Sequence, residues 1–182
     1  GKIISEIDRL GIRDSTAIVF TSDHGYHLGE HDFWLKSNLH EEVTRVPLLI
    51  DAPGYRPGVT SSPVELVDLY PTLSSLAAIK TPEEVEGSDL TPILENPNYR
   101  VRETALSINN GYALRGDAWT YIRYTDGAEE FYDMNSDPNQ FQNLVNDPKA
   151  KDGVAEARAA LNTRIQRSAL SLKQKKKKKS TN

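Results

Sequence analysis

The sequence contains no cysteine among its 182 residues. This absence excludes disulfide bonds, zinc sites built from thiolates and a cysteine nucleophile supplied by this chain. Long apolar runs are lacking as well: no segment approaches the length needed to cross a bilayer, and the first residues show no signal-peptide pattern. The 37% of hydrophobic residues is enough for the core of one domain, or of one large piece of a larger domain.

Acidic residues outnumber basic ones, 26 to 22, and the formal net charge is −4. Six of the lysines lie near the C-terminus, at Lys173 and at 175–179, so the rest of the chain is more acidic than the total suggests. An acidic body argues against a nucleic-acid surface. It is compatible with a site whose carboxylates are neutralised by a cation.

The first hundred residues have the pattern of an α/β sheet, in which apolar strands alternate with helices. The expected elements are a helix over 3–10 ending at Gly11, a strand over 16–21, a helix over 38–44, a strand over 46–50, a helix with Asp68 as its N-cap, and a connecting loop over 80–100. We therefore predict a partial mixed or parallel sheet with helices, and treat 1–100 as one unit.

From residue 101 the pattern changes to short strands separated by good turn residues. Strands are expected at 105–108, 112–115, 119–124 and 130–134, followed by a helix over about 150–170. The predicted fold class is thus α/β, with a small four-stranded antiparallel sheet and a terminal helix over 101–170. Residues 171–182 are expected to form a disordered, lysine-rich tail.

All four histidines of the chain fall between residues 24 and 40, just after the first predicted strand. Asp23 offers a carboxylate to a hard divalent cation, and His24 offers a neutral imidazole beside it. Gly25 lets the backbone turn sharply away from the strand. A hairpin-like loop could bring the ammonium of Lys36 over the same pocket, and a cation with an ammonium suits a tetrahedral oxyanion, either sulfate or phosphate.

Two other interpretations of these residues are open from the pattern alone. Asp23, His24 and Gly25 are compatible with an Asx turn that has no ligand. His24, His27 and His31 have short spacings of the kind found in zinc sites, although no His-Glu-x-x-His motif is present and two glycines interrupt any helix.

Longer motifs occur in an order that resembles the sulfatase family, and within it the iduronate-2-sulfatase-like branch. They are Ser22-Asp23-His24-Gly25-x-x-Leu28-Gly29-Glu30-His31 with Trp34-x-Lys36, then Thr44-Arg45-Val46-Pro47-Leu48, then Asp68-Leu69-Tyr70-Pro71-Thr72-Leu73, and last Glu130-Phe131-Tyr132-Asp133-Met134-Asn135-Ser136-Asp137-Pro138 followed by Asn143-Leu144. The resemblance extends to about residue 168. It implies an alkaline-phosphatase-like fold.

The resemblance also implies roles for individual residues. Asp23 and His24 match two ligands of a divalent cation, usually calcium, that holds the sulfate. Lys36 matches a catalytic lysine that contacts the sulfate oxygens. Tyr26 and His27, which follow the metal pair, are candidates for contact with the substrate.

Neighbouring residues are expected to support this site rather than to act in it. Glu30 and His31 are expected to orient the loop, as outer-shell partners of metal ligands often do. Trp34 is expected to pack, Arg45 to pair with an acid or anchor the short helix, and His40 to have no direct role.

The sequence departs from the family pattern at the nucleophile. Family members use a formylglycine made from the cysteine of a Cys-x-Pro-x-Arg motif, and no cysteine is present here. The paired aspartates that complete the metal site are also missing. The resemblance therefore indicates the C-terminal third of such an enzyme, whose missing N-terminal part is an expected partner and whose isolated fragment is expected to be inactive.

The expected function is hydrolysis of a sulfate ester, with a sulfated carbohydrate as substrate class. A phosphate- or phosphonate-ester hydrolase of the same superfamily and a non-catalytic binding module derived from the fold are the alternatives. Relatives are usually exported to the periplasm, the exterior or the lysosome, so we expect the same here. No membrane span and no nucleic-acid partner are expected.

Overall fold

A computed structural model describes the backbone of residues 1–179 and the side chains up to residue 166. The elements of the first hundred residues are α1 (Lys2–Arg9), β1 (Ile18–Thr21), β2 (His27–Leu28), β3 (Trp34–Leu35), α2 (Glu41–Thr44), β4 (Leu48–Asp51), α3 (Leu69–Leu76) and α4 (Thr91–Glu95). They are followed by β5 (Ala105–Ile108), β6 (Gly111–Arg115), β7 (Trp119–Tyr124), β8 (Glu129–Asp133) and α5 (Lys151–Lys179). No helix in the described part is long and apolar enough to cross a membrane.

The strand pair that precedes and follows the histidine-rich segment is antiparallel. Strands β1 and β4 pair in a register that places Val19 opposite Ile50 and Phe20 opposite Leu49. The expectation of mixed or parallel pairing is not met by this pair, because an apolar run predicts a strand without fixing the direction of its partner. Phe20 and Leu49 are 63% and 58% exposed, so this pair leaves an apolar surface uncovered.

The C-terminal sheet is an antiparallel meander in the order β5-β6-β7-β8, as predicted. Side chains alternate between its two faces, which gives two separate cores. One face packs against α5 through a cluster of apolar residues, namely Leu114, Tyr121, Phe131, Val154, Ala157 and Leu161. The opposite face carries Ala113, Ile122, Tyr132 and Met134, and Leu39 from the segment before α2 packs into it. The sheet therefore supports the histidine-rich segment directly.

Three predicted element boundaries need correction. Helix α2 begins at Glu41 rather than at 38, and the expected connecting loop over 80–100 contains the short helix α4, which has Pro92 in its first turn. Helix α5 begins at Lys151 and continues to Lys179, so it runs into the segment predicted as a tail. Of that segment, residues 180–182 lie outside the described residues.

Asp68 has a different role from the predicted N-cap. Its side chain makes no capping bond to α3, is fully buried, and forms an ion pair with Arg102, whose Nη2 lies 2.6 Å from Oδ1. The backbone N–H groups of Glu65 and Ser88 also donate to its carboxylate, at 2.7 and 2.8 Å. Burial raises the pKa of Asp68, but these bonds outweigh it and hold the pKa below its usual value.

Glu65 extends this network to the last helix. Its carboxylate accepts hydrogen bonds from Arg164 of α5 at 2.8 and 2.9 Å and from the backbone N–H of Leu106 at 2.9 Å. The two acids thus join the start of α3, the edge of the C-terminal sheet and α5.

Candidate active site

The segment after β1, residues 22–36, is called here the motif loop. It is fixed to α2 by a hydrogen bond from the N–H of Gly25 to the carbonyl oxygen of Val43, at 2.9 Å. Within the loop, the Ser22 hydroxyl donates to the carbonyl oxygen of His24 at 2.8 Å. A Cβ atom on Gly25 would lie 1.8 Å from the carbonyl oxygen of Glu42. Glycine is required here because the main chain of the motif loop packs against the main chain of α2. Neither segment can shift without a large cost in free energy.

We expect Gly25→Ala to destabilise the chain by about 2–4 kcal/mol, because the added methyl group overlaps main-chain atoms of α2. Gly54→Ala is the matched control: Gly54 has open space around it and only a positive φ of 87°, so its cost is about 1 kcal/mol. Urea unfolding of both variants measures the difference. Equal midpoints for the two variants would show that the loop is not held against α2.

Asp23 and His24 converge on one point at the end of β1. The Oδ2 atom of Asp23 lies 3.6 Å from Nε2 of His24, and the two side chains are 83% and 32% exposed. The other ring nitrogen, Nδ1, lies 2.7 Å from the carbonyl oxygen of Gly25, and a carbonyl can only accept. Nδ1 therefore carries the proton in the neutral ring, which leaves the lone pair of Nε2 beside the carboxylate.

This pair has the donor chemistry for a divalent cation, although it supplies only part of a coordination shell. Among the residues that the structure describes, no group of three or more histidine and carboxylate side chains is arranged to hold a metal ion. The residues present thus fit a cation as two neighbouring ligands. Further ligands would have to come from outside the described residues.

Lys36 follows a short hairpin that folds the motif loop back on itself. Strands β2 and β3 pair in a register that places His27 opposite Leu35, so the next positions outward on the two strands are Tyr26 and Lys36. Both are exposed, Tyr26 to 47%. The hairpin thus places Lys36 across from Tyr26, which lies three positions after Asp23. The catalytic role of Lys36 and the substrate contact of Tyr26 stay predictions.

His27 differs from the prediction because its side chain is completely buried. Its ring lies edge-on to Phe33 and His31, each with ring centroids 5.5 Å away. A side chain without exposed surface cannot reach a sugar, so His27 belongs to the interior of the loop. The alternation along a two-residue strand explains the difference, since Tyr26 and Leu28 point outward on either side of it.

The supporting residues are placed partly as predicted. Glu30 accepts a 2.6 Å hydrogen bond from the N–H of Leu28, which fits its expected role in orienting the loop. Arg45 lies 3.8 Å from Glu41, an acid partner of the kind expected. Trp34 is 63% exposed and does not pack as predicted.

Sequence reasoning missed Glu130 and Tyr132, which reach from β8 to His40, just before α2. Nε2 of His40 lies 3.0 Å from Glu130, and the Tyr132 hydroxyl donates to the same carboxylate at 3.1 Å. His40 and Glu130 are 90 positions apart, and no periodicity or spacing connects them. The local strand pattern of β8 could have indicated the face on which these residues lie, but not their partner.

Comparison with known proteins agrees with this fold. Residues 29–168 match the family model described as N-sulphoglucosamine sulphohydrolase, C-terminal. The chain therefore belongs to the sulfatase family, within the alkaline-phosphatase-like superfamily, and corresponds to its C-terminal region. The fold, a mixed α/β part with a four-stranded antiparallel sheet and a terminal helix, matches solved sulfatase structures over part of their length.

Individual relatives show how much of a whole enzyme this chain represents. It is 35% identical to an ulvan-active sulfatase of Formosa agariphila over 91% of its own length, but over only 35% of that protein. A structure solved in complex with its substrate, D-glucosamine-2-N,6-O-disulfate, matches with a TM-score of 0.86 and 27% identity, over 91% of this chain and 37% of the other. A phosphonate monoester hydrolase from Silicibacter pomeroyi matches with a TM-score of 0.82 and 26% identity, over 91% and 38%. The chain spans about a third of the length of these proteins.

Proposed function

We propose that this chain is the C-terminal part of a sulfuric-ester hydrolase and supplies part of its metal and sulfate site. The observation that carries the proposal is the convergence of Asp23 Oδ2 and His24 Nε2 at the end of β1, with Lys36 at the end of the β2–β3 hairpin. Family membership supports the reaction class. The ulvan-active sulfatase and the enzyme solved with a disulfated glucosamine support a sulfated sugar as the substrate class.

In this proposal Asp23 and His24 hold a divalent cation. Calcium prefers oxygen ligands and is the usual ion of the resembled family, whereas the imidazole also suits transition metals. When bound, such a cation polarises the sulfate oxygens. The bond from His24 Nδ1 to the Gly25 carbonyl keeps Nε2 free and oriented for this task.

Lys36 supplies a second positive charge, on a flexible side chain that can follow the oxyanion. Its ammonium stabilises negative charge that develops on the sulfate oxygens and toward the leaving alcohol. The nucleophile of the proposed reaction is a formylglycine, whose hydrated aldehyde supplies the attacking oxygen. Because the chain has no cysteine, that residue must lie in polypeptide outside this sequence.

An apolar surface without a partner also supports a larger protein. Phe20 and Leu49 face outward side by side on β1 and β4, and none of the residues of α1 is buried. We expect the N-terminal part of the same enzyme to cover this surface. Light scattering of the isolated chain would test this, because a clean monomer at high concentration would contradict an uncovered interface.

Hydrolysis of a phosphonate or phosphate ester is the second candidate, favoured by the match to a phosphonate monoester hydrolase with a TM-score of 0.82. Both activities would use the same cation pair and lysine. The N-terminal nucleophile and its neighbours decide between them. A non-catalytic module derived from the fold is the third candidate.

The isolated chain is expected to show no turnover of an aryl sulfate, with or without calcium, because it lacks a nucleophile and part of the metal shell. The full-length gene product should hydrolyse the same compound, and its gene should encode a Cys-x-Pro-x-Arg motif. Parallel assays with an aryl phosphonate distinguish the second candidate. Metal-dependent sulfate release by the isolated chain would contradict the proposal, and a gene without the motif would favour the non-catalytic module.

A further inference from the structure

Three imidazoles pack together between the motif loop and the segment before α2, and we call them the histidine cluster: His27 and His40, which are buried, and His31, whose side chain is 14% exposed. The rings of His31 and His40 are stacked, with centroids 4.1 Å apart and planes inclined by only 6°. His27 stands edge-on to both, at 5.5 and 6.0 Å. None of the three is needed to bind a cation or a sulfate in the proposed site.

The histidine cluster joins three parts of the chain. His27 and His31 belong to the motif loop, His40 precedes α2, and Glu130 on β8 accepts from His40 at 3.0 Å. Phe141, from the segment after β8, lies against the outer side of His31, with ring centroids 5.2 Å apart. The cluster thus connects the loop that carries Asp23 and Lys36 to the C-terminal sheet through His40.

Several polar atoms of the cluster have no hydrogen-bond partner among the described residues. They are Nδ1 and Nε2 of His27, Nε2 of His31, Nδ1 of His40 and Oε2 of Glu42. The distance between Nε2 of His31 and Oε2 of Glu42 is 3.7 Å, too long for a hydrogen bond. Because buried polar groups are normally satisfied, this under-bonded cluster is sensitive to any added charge.

The geometry points to a proton-sensitive clamp: the stack of His31 on His40 holds the motif loop against the C-terminal sheet while at most one ring is charged, and releases the loop when both are protonated. Two imidazolium rings in parallel contact repel each other, and both would be shielded from water. One charge is tolerated because Glu130 lies beside His40.

Charged and titratable groups from several elements surround the stack. They are Glu30 and His27 in the motif loop, Glu42 on α2, Glu130, Tyr132 and Tyr124 on the C-terminal sheet, and Asp137 after it. Burial, and then the neighbouring His40, lower the pKa of His31, although Glu42 and Glu130 oppose this. For Glu130, burial raises the pKa, but the hydrogen bonds from His40 and the two tyrosines keep it below its usual value.

The lowered pKa values of His31 and Glu130 define the pH range in which the clamp opens. A histidine whose pKa is lowered by folding stabilises the folded loop fully above the ordinary histidine pKa of about 6.5, and this contribution is lost as the pH falls below it. Glu130, with a lowered pKa, stays ionised throughout that range. Release should therefore begin as the pH falls below about 6.5, the ordinary histidine pKa, while Glu130 is still ionised.

Hydrogen exchange of the motif-loop amides at pH 7.5 and at pH 5.5 tests the clamp in this chain without any assay of activity. After correction for the intrinsic exchange rate, we expect protection of residues 25–36 to fall about tenfold or more at the lower pH, with β6 and β7 unchanged as internal controls. His31→Phe keeps a stacked ring without a proton site. It should reduce the change in the loop to less than about twofold.

Titration of the ring signals by NMR provides a second measurement if His31→Phe does not fold. In the unmodified chain, the ring signals of the stacked pair report when each ring gains a proton, and loop protection should be lost only once both rings carry one. Loop protection that is independent of pH would overturn the clamp, as would an equal loss in His31→Phe. Because the readout is loop opening, failure of the clamp leaves the proposed sulfatase function unaffected, and failure of that function leaves the clamp intact.

Discussion

In the full-length enzyme, Lys36→Ala is expected to lower turnover of a sulfate ester by about 10²–10³-fold, since one preorganised positive group is removed from the oxyanion. The side chain is exposed at the end of the β2–β3 hairpin, so its truncation should leave the fold unchanged. Metal content should also be unchanged, because Asp23 and His24 are separate from it. Steady-state kinetics and metal analysis on the same preparation measure both quantities.

Two matched variants sharpen this test. Lys36→Arg keeps the charge but not its compact shape, and should retain more activity than Lys36→Ala. Lys80→Ala removes an exposed lysine remote from the motif loop in sequence and should have wild-type turnover. Near-normal turnover of Lys36→Ala would show that the lysine has no electrostatic role.

Asp68→Ala is expected to destabilise the chain by about 3–5 kcal/mol, because it leaves the guanidinium of Arg102 buried without a counter-charge. The side chain of Arg102 is only 10% exposed and that of Asp68 is fully buried, so water cannot replace the lost partner. Two backbone N–H groups, of Glu65 and Ser88, also lose their acceptor. Urea unfolding monitored by circular dichroism measures the loss.

The controls for Asp68 separate the ion pair from general effects of charge. Asp14→Ala removes an exposed aspartate and should change stability by less than about 0.5 kcal/mol. Asp68→Ala combined with Arg102→Leu removes both charges and should recover part of the lost stability. Because the pKa of Asp68 is lowered, its contribution is present above the ordinary aspartate pKa and lost as the pH falls below it. A small effect of Asp68→Ala at neutral pH would contradict the structural role of this pair.

The antiparallel sheet was predictable from sequence almost to the residue. Strand β7 has the predicted bounds, and β8 differs by one residue at each end. Turn residues such as Asn110-Gly111 and Asp126-Gly127 mark the chain reversals by local backbone chemistry, which sequence displays directly. The direction of the β1–β4 pair could not be predicted in this way, because it depends on contacts that are distant in sequence.

The candidate site could be predicted from sequence only where its residues are close together along the chain. Asp23 and His24 are neighbours in sequence, and their convergence follows from a strand end and a glycine turn. The burial of His27 and the bond from His40 to Glu130 depend on how the C-terminal sheet packs under the loop, and residue type alone does not report this. Buried and exposed histidines look the same in a sequence.

The seating of Leu39 and His40 on the far face of the C-terminal sheet has a consequence for protein engineering. A transplant of only the segment from Asp23 to Lys36 into another hydrolase would omit the residues that support it from below. These residues include Glu130 and Tyr132 of β8. A functional chimera should therefore exchange the segment together with β8. In this chain, residues farther along the polypeptide support the segment that is proposed to carry the metal and sulfate site.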